Sequence, residues 1–293
     1  MKPVGIVTDS HSGISQEEAR QLGIYVVPMP FYLKDTCYYE GISMSREEFF
    51  VHLEAGEEVH TSQPSPEDVM KTWNHALKTY EQIVYIPMSS GLSGSCNTAR
   101  MLAGEDEYEG KVFVVDNGRV SALLHRSVLD ALELKNEGYS AEQIREMLEA
   151  SRDDQVIYIA VETLEFLRKG GRINAATAAL GAILNIKPIL KLQTGLLECH
   201  RKCRGMKKAR KEMIEMIRHD LEETFADPYR NHEVYLLAAA SADDDTSQNW
   251  IEEISANFPE LDILYDPLTF GLSCHVGPGG LGIGLSCRPK RPV

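Results

Sequence analysis

The 293-residue chain has no apolar run long enough to cross a bilayer. Its longest candidate, residues 24–33, is short and interrupted by Pro28 and Pro30. The N-terminus has no secretory pattern, because its apolar stretch runs straight into Thr8-Asp9-Ser10. Basic side chains are in deficit, 30 against 44 acidic ones, and the net charge of −14 disfavours nucleic acid and anionic membranes as partners. The six cysteines (Cys37, Cys96, Cys199, Cys203, Cys274 and Cys287) form no CxxC pair. Cys199 and Cys203 have no second ligand pair nearby, so a zinc site is not expected. Scattered cysteines fit a reducing, cytoplasmic compartment. Internal repeats and low-complexity tracts are also missing. What remains, 43% apolar and 25% charged, is ordinary globular composition with enough chain for one large or two smaller domains.

Short apolar runs alternate with helical periodicity through the first half. Strands are expected at residues 4–7, 24–33, 83–86, 112–115 and 156–161. Helices are expected to open at Ser15-Gln16-Glu17-Glu18, at Ser45-Arg46-Glu47-Glu48 and at Pro66, and to cover 122–134 and 141–150. This order predicts a parallel sheet with helices on both faces, in which ligands bind beyond the carboxyl ends of the strands. Thr8-Asp9-Ser10, Ser89-Ser90 and Asp116 all fall at such ends. Past about residue 155 the pattern changes. It reads as a small-residue helix at 174–184, a strand–turn–strand over 188–200 with Thr194-Gly195 as the turn, and a long helix near 206–225. A strand at 234–240, a helix at 244–256, a strand at 261–264 and a glycine-rich last strand follow. The expectation is an N-terminal parallel-sheet α/β domain (1–155) and a C-terminal α+β domain with a mixed sheet (156–293), a ligand lying between them.

Several segments could carry chemistry. Ser89-Ser90-Gly91-Leu92-Ser93-Gly94-Ser95 lies between a strand and a helix. It reads either as a capped helix start or as an anion site built from backbone N–H groups and hydroxyls. Gly91-Leu92-Ser93-Gly94-Ser95 also nearly matches the GxSxG elbow of hydrolases, though Ser95 replaces the final glycine. Ser93, Asp116 and His275 could formally supply a serine hydrolase of esters. In Thr61-Ser62-Gln63-Pro64-Ser65-Pro66, Ser65 and Pro66 make a helix entry that leaves Thr61 unexplained. Residues 200–211 hold seven cations and no acid, a solvated face or a docking patch for an anion; with the glycine loops they leave open a binding module for a smaller phosphorylated ligand. Gly277 to Gly282 spells GxGxxG, but too little chain follows to make a dinucleotide unit. Close backbone approach in a last strand, with His275 at its entrance, is the better reading. The 174–184 helix reads as core packing or as a wall for a long apolar ligand.

Together, and in this order, these segments resemble the DegV family. The matching pieces are Thr8-Asp9-Ser10, Thr61-Ser62-Gln63-Pro64-Ser65, Ser89 through Ser95, Leu167-Arg168-Lys169-Gly170-Gly171-Arg172-Ile173, Lys187-Pro188-Ile189-Leu190, Arg204-Gly205 with Lys207-Lys208-Ala209, and His275-Val276-Gly277-Pro278-Gly279. They span one unit of about 3–287. The resemblance implies a non-enzymatic protein without a cofactor, which binds a long-chain fatty acid and presents it to the catalytic subunit of a separate, ATP-using fatty acid kinase. The acyl phosphate formed would serve phospholipid synthesis. It further implies that Thr61 and Ser93 hold the carboxylate with help near Gly94, that His275 sits beside the head group, and that Arg172 and Arg204 serve the pocket mouth or kinase docking. The chain departs from the family pattern at Asp116-Asn117-Gly118, where Asp-Ser is expected, and at Gly205-Met206-Lys207, where a further basic residue is expected.

Overall fold

The computed structural model describes residues 3–173, 177, 186–193 and 196–292. The expected helix at 174–184, Thr177 apart, and the Thr194-Gly195 turn lie outside the described residues. The first half runs β1 (Val4–Asp9), α1 (Gln16–Leu22), β2 (Tyr25–Val27), β3 (Pro30–Leu33), β4 (Thr36–Tyr39), α2 (Arg46–Glu54) and β5 (Val59–Thr61). It continues with α3 (Pro66–Leu77), β6 (Gln82–Ile86), α4 (Ser95–Ala103), β7 (Val112–Val114), α5 (Ala122–Asn136) and α6 (Ala141–Ala150). Four of these strands form an all-parallel sheet in the order β2-β1-β6-β7. Every residue of β1 is buried, as suits a central strand covered on both faces. The serine caps work as their positions suggest: Ser15, Ser45, Ser65 and Ser140 each accept the backbone N–H three residues on.

The single strand expected at 24–33 is two strands in different sheets. β2 pairs with β1, whereas β3 pairs antiparallel with β4 and β5 in a separate three-stranded sheet. Pro28 has no N–H to extend the first ladder, and Met29 N–H donates to Ser10 Oγ at 3.0 Å instead.

The second half runs β8 (Gln155–Ala160), α7 (Glu165–Gly170), β9 (Ile186–Gln193), β10 (Leu196–Arg204), α8 (Met206–Glu222) and α9 (Ala226–Arg230). β11 (Val234–Ala240), α10 (Asp244–Asn257), β12 (Ile263–Pro267), α11 (Phe270–Val276) and β13 (Leu281–Cys287) complete it. The six strands form a mixed sheet, β10-β9-β8-β13-β11-β12, in which β11 and β12 are parallel and the other pairs antiparallel. The glycines of β13 permit close approach: a Cβ at Gly284 would stand 2.6 Å from the Val156 carbonyl oxygen. On α8, Ala209, Met213, Ile217 and Leu221 are buried at helical spacing against this sheet.

His275 is not at the entrance of the last strand. It lies in the last turn of α11, a helix that local propensity does not announce because Gly271 and Ser273 sit within it. α5 joins the two halves. Leu124, Val128 and Ala131 pack in the core of the parallel sheet, while Ala122 and Leu123 pack with Leu237 of β11. A helix buried on opposite faces shows no single apolar stripe.

No helix among the described residues is long and apolar enough to cross a membrane.

Candidate functional site

β5 ends at Thr61, and α11 brings His275 against it, with Thr61 Oγ1 2.8 Å from His275 Nε2. Burial and the Arg172 cation push the His275 pKa down to about 4, so the imidazole is neutral. Its Nδ1 is buried without a hydrogen-bond partner among the described residues. An unpartnered nitrogen is less costly as a bare lone pair than as a buried N–H, which places the proton on Nε2. Nε2–H then donates to Thr61 Oγ1, and the Thr61 hydroxyl proton is free to face a ligand.

The loop after β6 is braced from below. The buried carboxylate of Asp9 accepts Met88 N–H at 2.7 Å and His11 N–H at 3.0 Å. Burial raises the Asp9 pKa to about 7 against the pull of those two bonds. Ser89 N–H donates to the Arg119 carbonyl at 2.8 Å, and Ser90 Oγ–H donates to Asp116 at 2.6 Å. Burial works against the Asp116 charge, but the Ser90 bonds and the Arg152 and Arg100 cations hold its pKa below the usual carboxylate value. Ser93 Oγ accepts Ser95 N–H at 3.2 Å and leaves its own proton uncommitted. The strand-end clusters Thr8-Asp9-Ser10, Ser89-Ser90 and Asp116 are thus the frame that holds the Ser93 loop.

Thr61 and Ser93 open on one cavity. The cavity holds about 820 Å³ with its mouth included, and little of that space is wide enough for a water molecule. The bore is narrow. Met29, Met88, Leu92 and Val120 wall it on the parallel-sheet side, and Ile157, Ile159, Leu192 and Leu197 on the mixed-sheet side. Polar groups are few: His11, Ser62, Gln63, Ser121 and Arg172 join Thr61, Ser93 and His275. His11 is neutral too, its pKa pushed to about 3 by burial and then by His275 and Arg172, and its Nδ1 lies 3.0 Å from Thr269 Oγ1. Arg172 is half-buried, its guanidinium pKa lowered by desolvation, and it makes no ion pair among the described residues. It also walls an outer groove together with Thr61, Lys169 and His275, so the polar end of the cavity faces outward.

The sequence-expected residues divide. Thr61, Ser93, His275 and Arg172 meet at the cavity. Gly94 is not on the wall; it stands beside Gln63, whose Oε1 would lie 3.1 Å from a Cβ there. Arg204 is exposed at the end of β10, away from the lining. In the basic stretch, Arg201 pairs with Glu212 and Arg210 with Glu253. Lys202, Arg204, Lys207, Lys208 and Lys211 make no ion pair among the described residues. The hydrolase triad does not assemble: Asp116 is committed to Ser90 and Arg152, His275 to Thr61, and Ser93 to Ser95 N–H. His11, Gln63 and Ser121 escaped sequence reading. His11 directly follows a strand-end cluster, which is a usable signal, whereas nothing local marks Ser121. No cluster of metal-ligating side chains occurs among the described residues.

A parallel and a mixed sheet flank a narrow, largely apolar cavity with hydroxyls at its polar end, which defines an α/β protein with a ligand-sized cavity between its two sheets. The chain belongs to the DegV family of uncharacterised proteins, matched over residues 3–288. A DegV domain-containing protein of Deinococcus radiodurans is 31% identical over 283 residues, covering 96% of this chain and 98% of that relative. The solved structure of a DegV family protein from Thermus thermophilus, described in terms of fatty acid binding, superposes with a TM-score of 0.86 at 33% identity, covering 97% of this chain and 99% of that one. DegV of Bacillus subtilis, described as a fatty acid binding protein, superposes with a TM-score of 0.84 at 26% identity, covering 98% and 100%.

Proposed function

We propose that this protein binds a long-chain fatty acid, with the carboxylate at Thr61 and Ser93 and the tail in the apolar bore. The observation that carries the reading is the meeting of these two hydroxyls on one narrow, largely apolar cavity. A carboxylate withdrawn from water needs hydrogen-bond donors, and both hydroxyls have protons to give. Neutral His275 orients Thr61, and Arg172 supplies a cation near the mouth. A tail of about fifteen methylenes at ~0.8 kcal/mol each gives an upper bound of ~12 kcal/mol of transfer energy. Ordering and desolvation reduce that figure. The tail therefore dominates affinity and the hydroxyls set direction.

The protein acts as a carrier with no chemistry of its own. It presents the head group, through the outer groove at Arg172, to a separate ATP-dependent kinase that forms the acyl phosphate. Arg204 and the unpaired lysines nearby make the docking face. Six unbridged cysteines suit a cytoplasmic setting. The test is native purification, organic extraction and mass spectrometry of the extract. A bound acyl chain is expected. No acyl chain, together with no uptake of added palmitate or oleate, overturns the reading.

A further inference from the structure

α5 begins one residue beyond Ser121, which lines the cavity, and has no side-chain cap. The N–H groups of Ala122, Leu123 and Leu124 meet no acceptor among the described residues. Such groups at a helix start have no intrahelical partner and are ordinarily met by a side chain, water or a ligand. Here all three residues are buried.

The second observation is Ser121 itself. It is 3% exposed, it lines the cavity, and its hydroxyl has no partner among the described residues. The backbone is held from behind: Ser121 N–H donates to the His11 carbonyl at 2.9 Å, and its own carbonyl accepts His125 N–H at 2.9 Å. No hydrogen bond joins it to Thr61, Ser93 or His275. Val120 and Ile157, which also line the cavity, are apolar.

We propose that the Ser121 hydroxyl and the start of α5 form a second polar subsite in the cavity, which takes an oxygen carried on the acyl chain away from its carboxylate, as in a hydroxy or oxo fatty acid. This rests on the fatty-acid reading above. The positive end of the helix dipole behind Ser121 favours an oxygen lone pair there, and the serine hydroxyl on the wall can donate or accept. A plain methylene chain leaves the Ser121 hydroxyl unmet by the ligand.

The test compares stearate with hydroxystearates bearing the hydroxyl at successive chain positions, measured as Kd on the full-length protein, on Ser121→Ala and on Ser121→Gly. The glycine variant removes the hydroxyl and suits the positive φ of 57° found there. One isomer is expected to bind about tenfold better than its neighbours, a ratio that collapses toward unity in both variants. No preferred isomer in the unaltered protein overturns the proposal, as does a preference that survives both substitutions. Stearate and hydroxystearates weakening together in the variants would place the carboxylate itself at α5 and also overturn it. If the unaltered protein takes up no stearate or palmitate at all, the fatty-acid reading fails first and this proposal with it.

Discussion

Thr61 Oγ1 and His275 Nε2 stand 2.8 Å apart although 214 positions separate the two residues in the chain. The contact fixes which way the threonine hydroxyl points. Thr61→Val keeps the β-branched shape, removes the proton offered to the ligand and strands the His275 N–H. Fatty-acid affinity should fall by roughly tenfold to a hundredfold, the worth of a hydrogen bond to a charged group. Displacement of a fluorescent fatty acid measures this, and an unchanged Kd would move the head group elsewhere.

Gly170 closes the other side of that histidine. A Cβ on Gly170 would lie 2.0 Å from His275 Nδ1. Gly170→Ala would raise helix propensity by about 1 kcal/mol in an exposed helix, yet here it overpacks the ring at a cost of about 1–3 kcal/mol. The expected result in urea is a lower unfolding midpoint together with weakened fatty-acid binding. A stabilised variant with full affinity would show that the ring is free to move.

The buried titratable groups give pH signatures of opposite sign. His275 has a folded pKa of about 4 against 6.5 when free, so the unfolded chain binds the extra proton between those values and stability falls as pH drops through that window. His275→Gln should flatten this part of the profile. Asp9 has a folded pKa of about 7 against 3.8, so the folded state binds the extra proton and its contribution is lost as pH rises from 3.8 to 7. Asp9→Asn should therefore make stability climb more steeply with pH across that range. Denaturant titrations at several pH values decide both signs.

Ser93 lacks the imidazole that would activate it, since its hydroxyl oxygen accepts Ser95 N–H and His275 is engaged with Thr61. A fluorophosphonate should leave it unlabelled and chromogenic esters should not turn over. Stoichiometric labelling at Ser93 would revive the hydrolase.

Arg204 and Lys208 are exposed, lie outside the cavity and make no ion pair among the described residues. Reversing both charges (Arg204→Glu with Lys208→Glu) should leave fatty-acid retention intact and abolish acyl phosphate formation by the proposed kinase partner. Normal turnover by the double variant would place the docking face elsewhere.

Much of the fold was legible because its signals are local. Ser15, Ser45 and Ser65 mark helix starts through their own side chains, and the apolar runs of β1 and β6 mark buried parallel strands. β3, β4 and β5 were not legible as separate strands. They are three or four residues long, and β4 is largely exposed, so no period emerges. α11 forms through packing against the three-stranded sheet rather than through propensity. The candidate site was legible by resemblance, not by spacing: nothing local in Thr61 or Ser93 announces that they share a cavity. Ser121 was invisible because nothing in its neighbours in the chain marks its positive φ or its place on the cavity wall.

The burial of α5 on two opposite faces bears on how a ligand could come and go. Parting the two sheets like a hinge would expose Leu123 or Leu124, side chains worth about 1.5–3 kcal/mol each when hidden from water. Exchange of the proposed acyl ligand is therefore a matter for the outer groove that Arg172 walls. The amides of α5 should stay protected from deuterium while one acyl chain replaces another.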